Sequence, residues 1–302
     1  MKKKTTILGI LILVFGLTWY LFIKKYDYLV TFKVNSNSGI MYDAIKTWGE
    51  ELVKNKDIQI VTFKDSLSSE IKQLIHKNDS SYVLIWEIAQ VNDSLSKVKV
   101  YVSEEKHSLK NRILIPFSKA PIEKFAVNTV TDFANGLPNY LKYFRIKLNG
   151  KDSIPAAFCA CKSVITTQKD KAAKMVLANM EIMNFFINND IDIHGKPYLQ
   201  ITSWDFDSEK ITFDFCFPVK KSDSIANSNG IFFKEIKSIP AIKATYNGNY
   251  RYSDRTWNYL LDYAKRQHIN VEKLPTELFF NDPQQGGDEL NWKAEIYMPI
   301  AE

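Results

Sequence analysis

The sequence predicts an α+β protein in three parts: an amino-terminal transmembrane helix over residues 1–25, an antiparallel-sheet domain with a long helix laid across it over 26–150, and a duplicated strand–helix–strand–strand domain over 151–302. Three observations predict it. Residues Thr5–Ile23 run for 19 positions without a charge, between Lys2–Lys4 and Lys24–Lys25. From Tyr26 onward, segments of period-two alternation are separated by polar turn clusters and closed by a long stretch of helical period. Beyond residue 151 the chain repeats its own pattern.

The uncharged run has the length of a bilayer span and exceeds the apolar core of a signal peptide, and no small-x-small cleavage site follows it. No cysteine follows it directly to carry a lipid. The expectation is an uncleaved single-pass anchor. Three lysines and the amino terminus precede the span and two lysines follow it, an excess that places the amino terminus in the cytoplasm and the remaining chain in the periplasm or exterior.

The net charge of +6 comes mainly from the anchor. Its five flanking lysines removed, 35 bases face 34 acids. A soluble portion so close to neutral lacks the basic footprint that phosphate backbones require, so no nucleic-acid partner is expected. Cys159 and Cys161 stand two residues apart, on one face of a strand and poorly placed to bond each other. The reading taken is three small buried hydrophobes, with a bridge from one of the pair to Cys216 as the alternative.

In the middle region "YDYLVTFKVN" alternates as a strand, and Ile40, Ala44, Ile45 and Trp48 recur at helical spacing. The segments "IQIVTFKD", "SEIKQLIHKN", "SYVLIWEIAQV", "LSKVKVYVS" and "NRILIPF" read as strands, separated by "DSLSS", "KNDSS", "VNDS" and "SEEKHS". A helical pattern runs from Pro121 to about Phe144, with Phe125, Val130, Phe133, Leu137 and Leu141 on one side. This order resembles the helix-grip fold of the START-like, or polyketide-cyclase-like (SRPBCC), superfamily over roughly residues 27–148. The resemblance is one of element order and implies a fold that commonly encloses a cavity.

"RIKLNGKDSIP" is polar, contains Gly150 and ends in Pro155, so it reads as a linker. The repeat follows. Its first half runs from "AAFCACKS" through a helix at about Lys169–Asn188 to "HGKPYLQITSW" and "KITFDFCFPV". The second runs from "IPAIKATYNG" through a helix at about Asp254–His268 to "EKLPTELFFND" and "WKAEIYMPI". The closing strands set Asp214 opposite Glu295.

"LPTELFFNDPQQGGDELNWKAEIYMPI" resembles the end of the GyrI-like, or AraC-effector-binding (SOHo), small-molecule-binding family. The shared pattern is an acidic-apolar strand at Glu277–Phe280, an Asn-Asp-Pro turn at Asn281–Pro283, the Gly286–Gly287 spacer and the closing strand Glu295–Ile300. "TYNGNYRY", with Gly248 and Tyr250, is similar to the family's strand-to-helix segment. Strict alternation puts Lys293, Glu295 and Tyr297 on one face of the last strand and Ala294, Ile296 and Met298 on the other. On pattern alone that first face meets water and Glu295 pairs with Lys293.

The resemblance implies instead that Glu295 points into an aromatic-walled cleft between the repeats and meets a ligand. A carboxylate in an apolar groove selects a molecule that brings a cation or a donor. The expected ligand is therefore a small amphipathic or cationic molecule. The expected walls are Tyr250, Tyr297, Trp257, Tyr246 and Phe280, with Trp204 and Phe215 from the first repeat, each ring adding cation–π attraction of roughly 0.5–2 kcal/mol.

Two other functions stay open. Some members of the family look like hydrolases of reactive small molecules, for which Glu295 and Asp214 would be the catalytic pair. An envelope interaction protein with a closed cleft, packed shut by Phe213, Phe215 and Trp257, is the other. His76, His107, His194 and His268 have no metal-ligand spacing and Gly286–Gly287 matches no phosphate loop, so neither a metal nor a cofactor is expected.

Overall fold

Alternation of burial along several of its strands organises the protein, seen here in a computed structural model that describes residues 2–55, 59–64, 70–77, 79–92, 94–221 and 230–301. The chain forms two compact units, Met1–Pro138 and Asn139–Glu302. The first opens with α1 (Lys2–Thr18), which widens into a π-helical turn at Trp19–Ile23. Residues Thr6–Ile23 are long and apolar enough to cross a membrane, and none of that stretch is buried.

Behind it lies an antiparallel sheet of β1 (Tyr28–Val34), β2 (Gln59–Lys64), β3 (Glu70–Lys77), β4 (Ser80–Asn92) and β5 (Leu95–Glu104), in the order β1-β5-β4-β3-β2. Helix α2 (Ser38–Asn55) joins β1 to β2, and α3 (Ser108–Leu114) and α4 (Pro121–Leu141) follow β5. Every second residue of β5 is buried, with Val98, Val100 and Val102 fully so. Trp48 of α2, Trp86 of β4 and Phe133 of α4 meet edge-to-face, with Trp86 and Phe133 centroids 5.2 Å apart. The Trp86 indole N–H donates to buried Gln73 of β3 at 2.9 Å, which satisfies the fully buried indole of this core.

Two sequence expectations fail in instructive places. "NRILIPF" is not a strand; it lies mostly in α3 and the turn after it, because Ser108, Asn111 and Arg112 fall on one helical face and bond the carboxylates of Asp27 and Glu104. "RIKLNGKDSIP" is not a linker; most of it is β6 (Phe144–Ser153), an edge strand paired with β11. Its exposed polar positions are those of a sheet edge, and its Phe144 is buried. The turn cluster "DSLSS" lies outside the described residues.

The second unit holds β7 (Ala157–Thr167), α5 (Lys171–Asn189), β8 (Tyr198–Trp204), β9 (Lys210–Pro218), β10 (Ile231–Ile236), β11 (Pro240–Gly248), α6 (Arg255–Arg266), β12 (Thr276–Phe279) and β13 (Lys293–Pro299). The sheet order is β10-β7-β9-β8-β12-β13-β11-β6, antiparallel throughout. The two strand–helix–strand–strand halves are thus joined at β8 and β12 with their strand orders reversed about that seam. Asp214 in β9 and Glu295 in β13 hold matching places.

Helix α5 packs on β7 and β9, and α6 on β11 and β13. A second apolar cluster contains Cys161, Cys216, Tyr198, Leu278 and Tyr297. Cys161 and Cys216 are register partners and form a disulfide, while Cys159 is buried and free. This overturns the expectation of three free thiols: only the cysteine directly opposite Cys216 comes within bonding reach.

Candidate functional site

The sequence of α5 gives that helix two working sides. Ala178, Ile182, Phe185 and Phe186 are buried. Met175, Val176, Asn179 and Met183, offset around the helix, line a groove of about 830 Å³ instead. Phe215 and Phe217 of β9 contribute to its lining, and Tyr250, Phe279, Phe280 and Trp292 supply the aromatic wall on the opposite repeat. The volume is that of a site for a drug-sized molecule, and the methionine and aromatic lining is of the adaptable apolar kind.

The segment 279–292 is held in shape by its own polar side chains. Asp282 caps the short turn Pro283–Gln285 by accepting from the Gln284 N–H, and Asp288 caps Glu289–Asn291 by accepting from the Leu290 N–H. Gly286 and Gly287, at φ of 72° and 94°, supply the left-handed backbone between the two turns. The Tyr250 hydroxyl donates to the Lys293 carbonyl at 2.7 Å and accepts from the Asn281 N–H at 3.1 Å, tying the wall to β13. Burial pushes the Tyr250 phenol above its ordinary value, which keeps it a donor. At the rim stand exposed Asp282 and Asp288 and one exposed cation, Lys196.

A fully buried charge network is joined to this wall. Glu277 of β12 and Lys171 at the start of α5 pair at 3.0 Å, with side chains 0% and 1% exposed. Glu277 also accepts from the Trp257 indole at 2.7 Å and from Ser253 at 2.6 Å. Lys171 donates to Ser253 at 2.7 Å and lies over the Trp257 ring, 4.9 Å from its centroid. Every charge is therefore matched and hydrogen-bonded, the condition on which such a pair survives burial. The cation that this carboxylate and aromatic ring would attract is already present, on a side chain of the protein.

Glu295 lies in another environment. Lys293 approaches one carboxylate oxygen at 2.7 Å, Lys243 the other at 3.1 Å, and the Tyr297 hydroxyl donates to it at 2.8 Å. Burial opposes the charge of Glu295, yet the hydrogen bonds from Lys293, Tyr297 and Lys243 outweigh it and hold the carboxyl below its ordinary value. Burial and the bond to Glu295 together push the Tyr297 phenol up to about 12. Asp214, its counterpart, pairs with Lys234 at 2.5 Å and accepts from Ser163.

Of the residues singled out from the sequence, Tyr250, Phe280 and Phe215 come together around the groove. Glu295, Tyr297, Trp257, Tyr246 and Trp204 are not among its lining residues. Trp257 and Tyr246 are fully buried, and Tyr297 belongs to the cluster around the disulfide. Sequence reasoning missed Lys171 and Ser253 as partners of Glu277, and the α5 side of the groove. A charged residue in the apolar run "PTELFF" was the signal for a buried acid. Its partner, 106 residues away, leaves no such trace.

A duplicated α+β sheet, with an apolar groove bordered by a helix of one repeat and the terminal turns of the other, defines a small-molecule-binding domain. The comparison with known families gives it a place: residues 166–301 match the GyrI-like small molecule binding domain, and this part of the chain is a GyrI-like domain. Among solved structures, the EcmrR C-terminal domain is 17% identical, covers 53% of this chain and 98% of its own, and superposes with a TM-score of 0.45. SAV2435 bound to tetraphenylphosphonium is 10% identical over 52% of this chain and 93% of its own, at 0.34. A hydrolase encoded by lin2189 from Listeria innocua is 8% identical over 55% and 98%, at 0.33. Likenesses at this level carry no argument about what this chain binds. No curated protein matches the chain.

Proposed function

We propose that the chain is a membrane-anchored, non-enzymatic binding protein whose GyrI-like domain takes a small amphipathic or cationic molecule in the groove between α5 and the segment 279–292. The observation that carries this reading is the groove itself, about 830 Å³ and lined by methionines and aromatic rings. The acid available to a cationic head is at its rim, in Asp282 and Asp288. Glu277 and Glu295 already have lysine partners. A ligand would lay its apolar body against Phe215, Phe279 and Phe280 and its head toward the rim, with ring faces adding attraction for a cation of roughly 0.5–2 kcal/mol each.

The anchor is the uncharged run Thr5–Ile23, and the cross-strand disulfide supports an oxidising compartment for the folded units. The amino terminus is then cytoplasmic and the two units periplasmic or extracellular.

The test is a tetraphenylphosphonium titration of the full chain in lipid nanodiscs, with empty nanodiscs as the blank. Phe280→Ala is expected to weaken binding about tenfold, the equivalent of ~1.4 kcal/mol. Glu295→Gln is expected to leave it within about twofold. Binding that survives Phe280→Ala and is lost in Glu295→Gln would place the ligand at Glu295 and overturn the groove as the site.

A further inference from the structure

We propose that α3 and the turn after it, Ser108 to Ser118, form a second membrane contact that lies in the headgroup region beside the exit of the span. This rests on the anchor reading above. The observation behind it is a helix whose polarity is inverted relative to water. The inward side carries the polar groups: Ser108 donates to Asp27, Arg112 pairs with Asp27 at 2.9 Å, and Asn111 donates to Glu104 at 2.8 Å. Asp27 is 1% exposed and Glu104 is 7% exposed. The apolar groups point outward, with Leu109 45%, Ile113 48% and Phe117 87% exposed.

Leu109 and Ile113 are one helical turn apart, and beyond α3 the Phe117 and Ser118 N–H groups both bond the Leu114 carbonyl at 2.9 Å, so the chain keeps turning in the same sense and exposes Phe117 one turn further on. A surface helix in water shows the opposite arrangement, apolar side to the core and polar side out. A contiguous exposed apolar face marks an interaction site.

Its place in the fold selects the occupant. The Arg112 guanidinium donates to the Leu21 carbonyl at 3.0 Å, and α3 packs against the turn Trp19–Ile23. The apolar face is thereby fixed beside the end of the span, where a bilayer surface would begin. Lys106, Lys110 and Lys119, within or next to the segment in sequence, and Lys25, just after the span, are exposed against exposed Glu105, a net cationic excess that suits anionic headgroups. A short segment of this kind seats roughly 5–10 Å into the boundary between headgroups and acyl chains. Its consequence would be to fix the first unit against the membrane.

The experiment is site-directed spin labelling of the full chain in vesicles of phosphatidylcholine and phosphatidylglycerol. Labels are placed by Phe117→Cys, Phe15→Cys and Ile165→Cys, and the unsubstituted chain, whose free Cys159 is buried, is the labelling blank. The Phe15 label reports the span and the Ile165 label, on an exposed strand position of the second unit, reports water. The expected result is a Phe117 label that collides more with oxygen and less with a water-soluble nickel chelate than the Ile165 label, with Phe15 deeper still. A Phe117 label as open to the chelate as Ile165, with Phe15 still deep, overturns this contact and leaves the anchor standing. A Phe117 label shielded from both collision partners is covered by protein and also overturns it. A Phe15 label open to the chelate removes the anchor and this contact with it.

Discussion

Lys171 and Glu277 show what lets a pair of opposite charges persist inside a core. Two lone charges at 1% and 0% exposure would be excluded from a core, but here Ser253 and Trp257 complete the hydrogen bonding. Lys171→Ala strands a buried carboxylate and is expected to cost about 3–5 kcal/mol in chemical denaturation of the full chain. The double change Lys171→Met with Glu277→Leu removes both charges and is expected to recover most of that loss; a double variant as unstable as the single one would mean that packing, not charge, dominates. At Glu295 the prediction concerns pH. Its carboxyl is held below the ordinary 4.5, so its contribution is fully present above that value and is lost as pH falls through the lower folded value. Glu295→Gln should therefore flatten the stability profile below about pH 4.5, read by urea midpoints. An unchanged acid limb would refute the three-donor arrangement. Strand alternation was enough to put Lys293 and Glu295 on one face, but Lys243 comes from another strand and only register reveals it.

Among the elements, the polar composition, Gly150 and Pro155 of "RIKLNGKDSIP" suit an edge strand as well as a linker, and the pattern of "NRILIPF" suits a helix with its polar side inward as well as a strand; only the neighbours decide. The repeat was legible because the two closing strands share an acid, three mostly apolar positions and a proline, and the strand pairing joins the halves about one seam. The disulfide between β7 and β9 closes a loop of 55 residues. Replacing both cysteines by alanine is expected to lower stability by about 2–4 kcal/mol, chiefly through the unfolded chain. A double variant equal to the parent in denaturant midpoint would show that the bridge is not formed in solution. Gly248 closes β11 at φ 150°, and a Cβ there would meet the Tyr246 hydroxyl at 2.7 Å, the Phe144 Cβ at 2.9 Å and the Tyr143 carbonyl at 2.9 Å. Gly248→Ala is expected to cost more than about 2 kcal/mol, because two of those atoms cannot rotate away. A thermal midpoint unchanged by the substitution would contradict that crowding.

At the level of the whole molecule, the apolar amino-terminal helix, the sheet unit and the GyrI-like domain are each visible as changes of pattern along the chain. The groove was legible only in part. Tyr250 and Phe280 belong to the quoted terminal motifs, whereas Met175, Val176 and Met183 lie on a helix whose sequence gives no sign of which side faces open space. The acid singled out from the closing strand has its own lysines, and the acids at the groove's rim, Asp282 and Asp288, sit in turns that read as structural punctuation. Photo-crosslinking tests this account most directly: a photoreactive tetraphenylphosphonium analogue is irradiated with the full chain in nanodiscs and the adducts are mapped by mass spectrometry. The account predicts adducts on Met175–Met183 and Phe279–Trp292, suppressed by excess tetraphenylphosphonium. Suppressible adducts confined to Lys243, Thr245, Glu295 and Tyr297, or to the first unit, would contradict it.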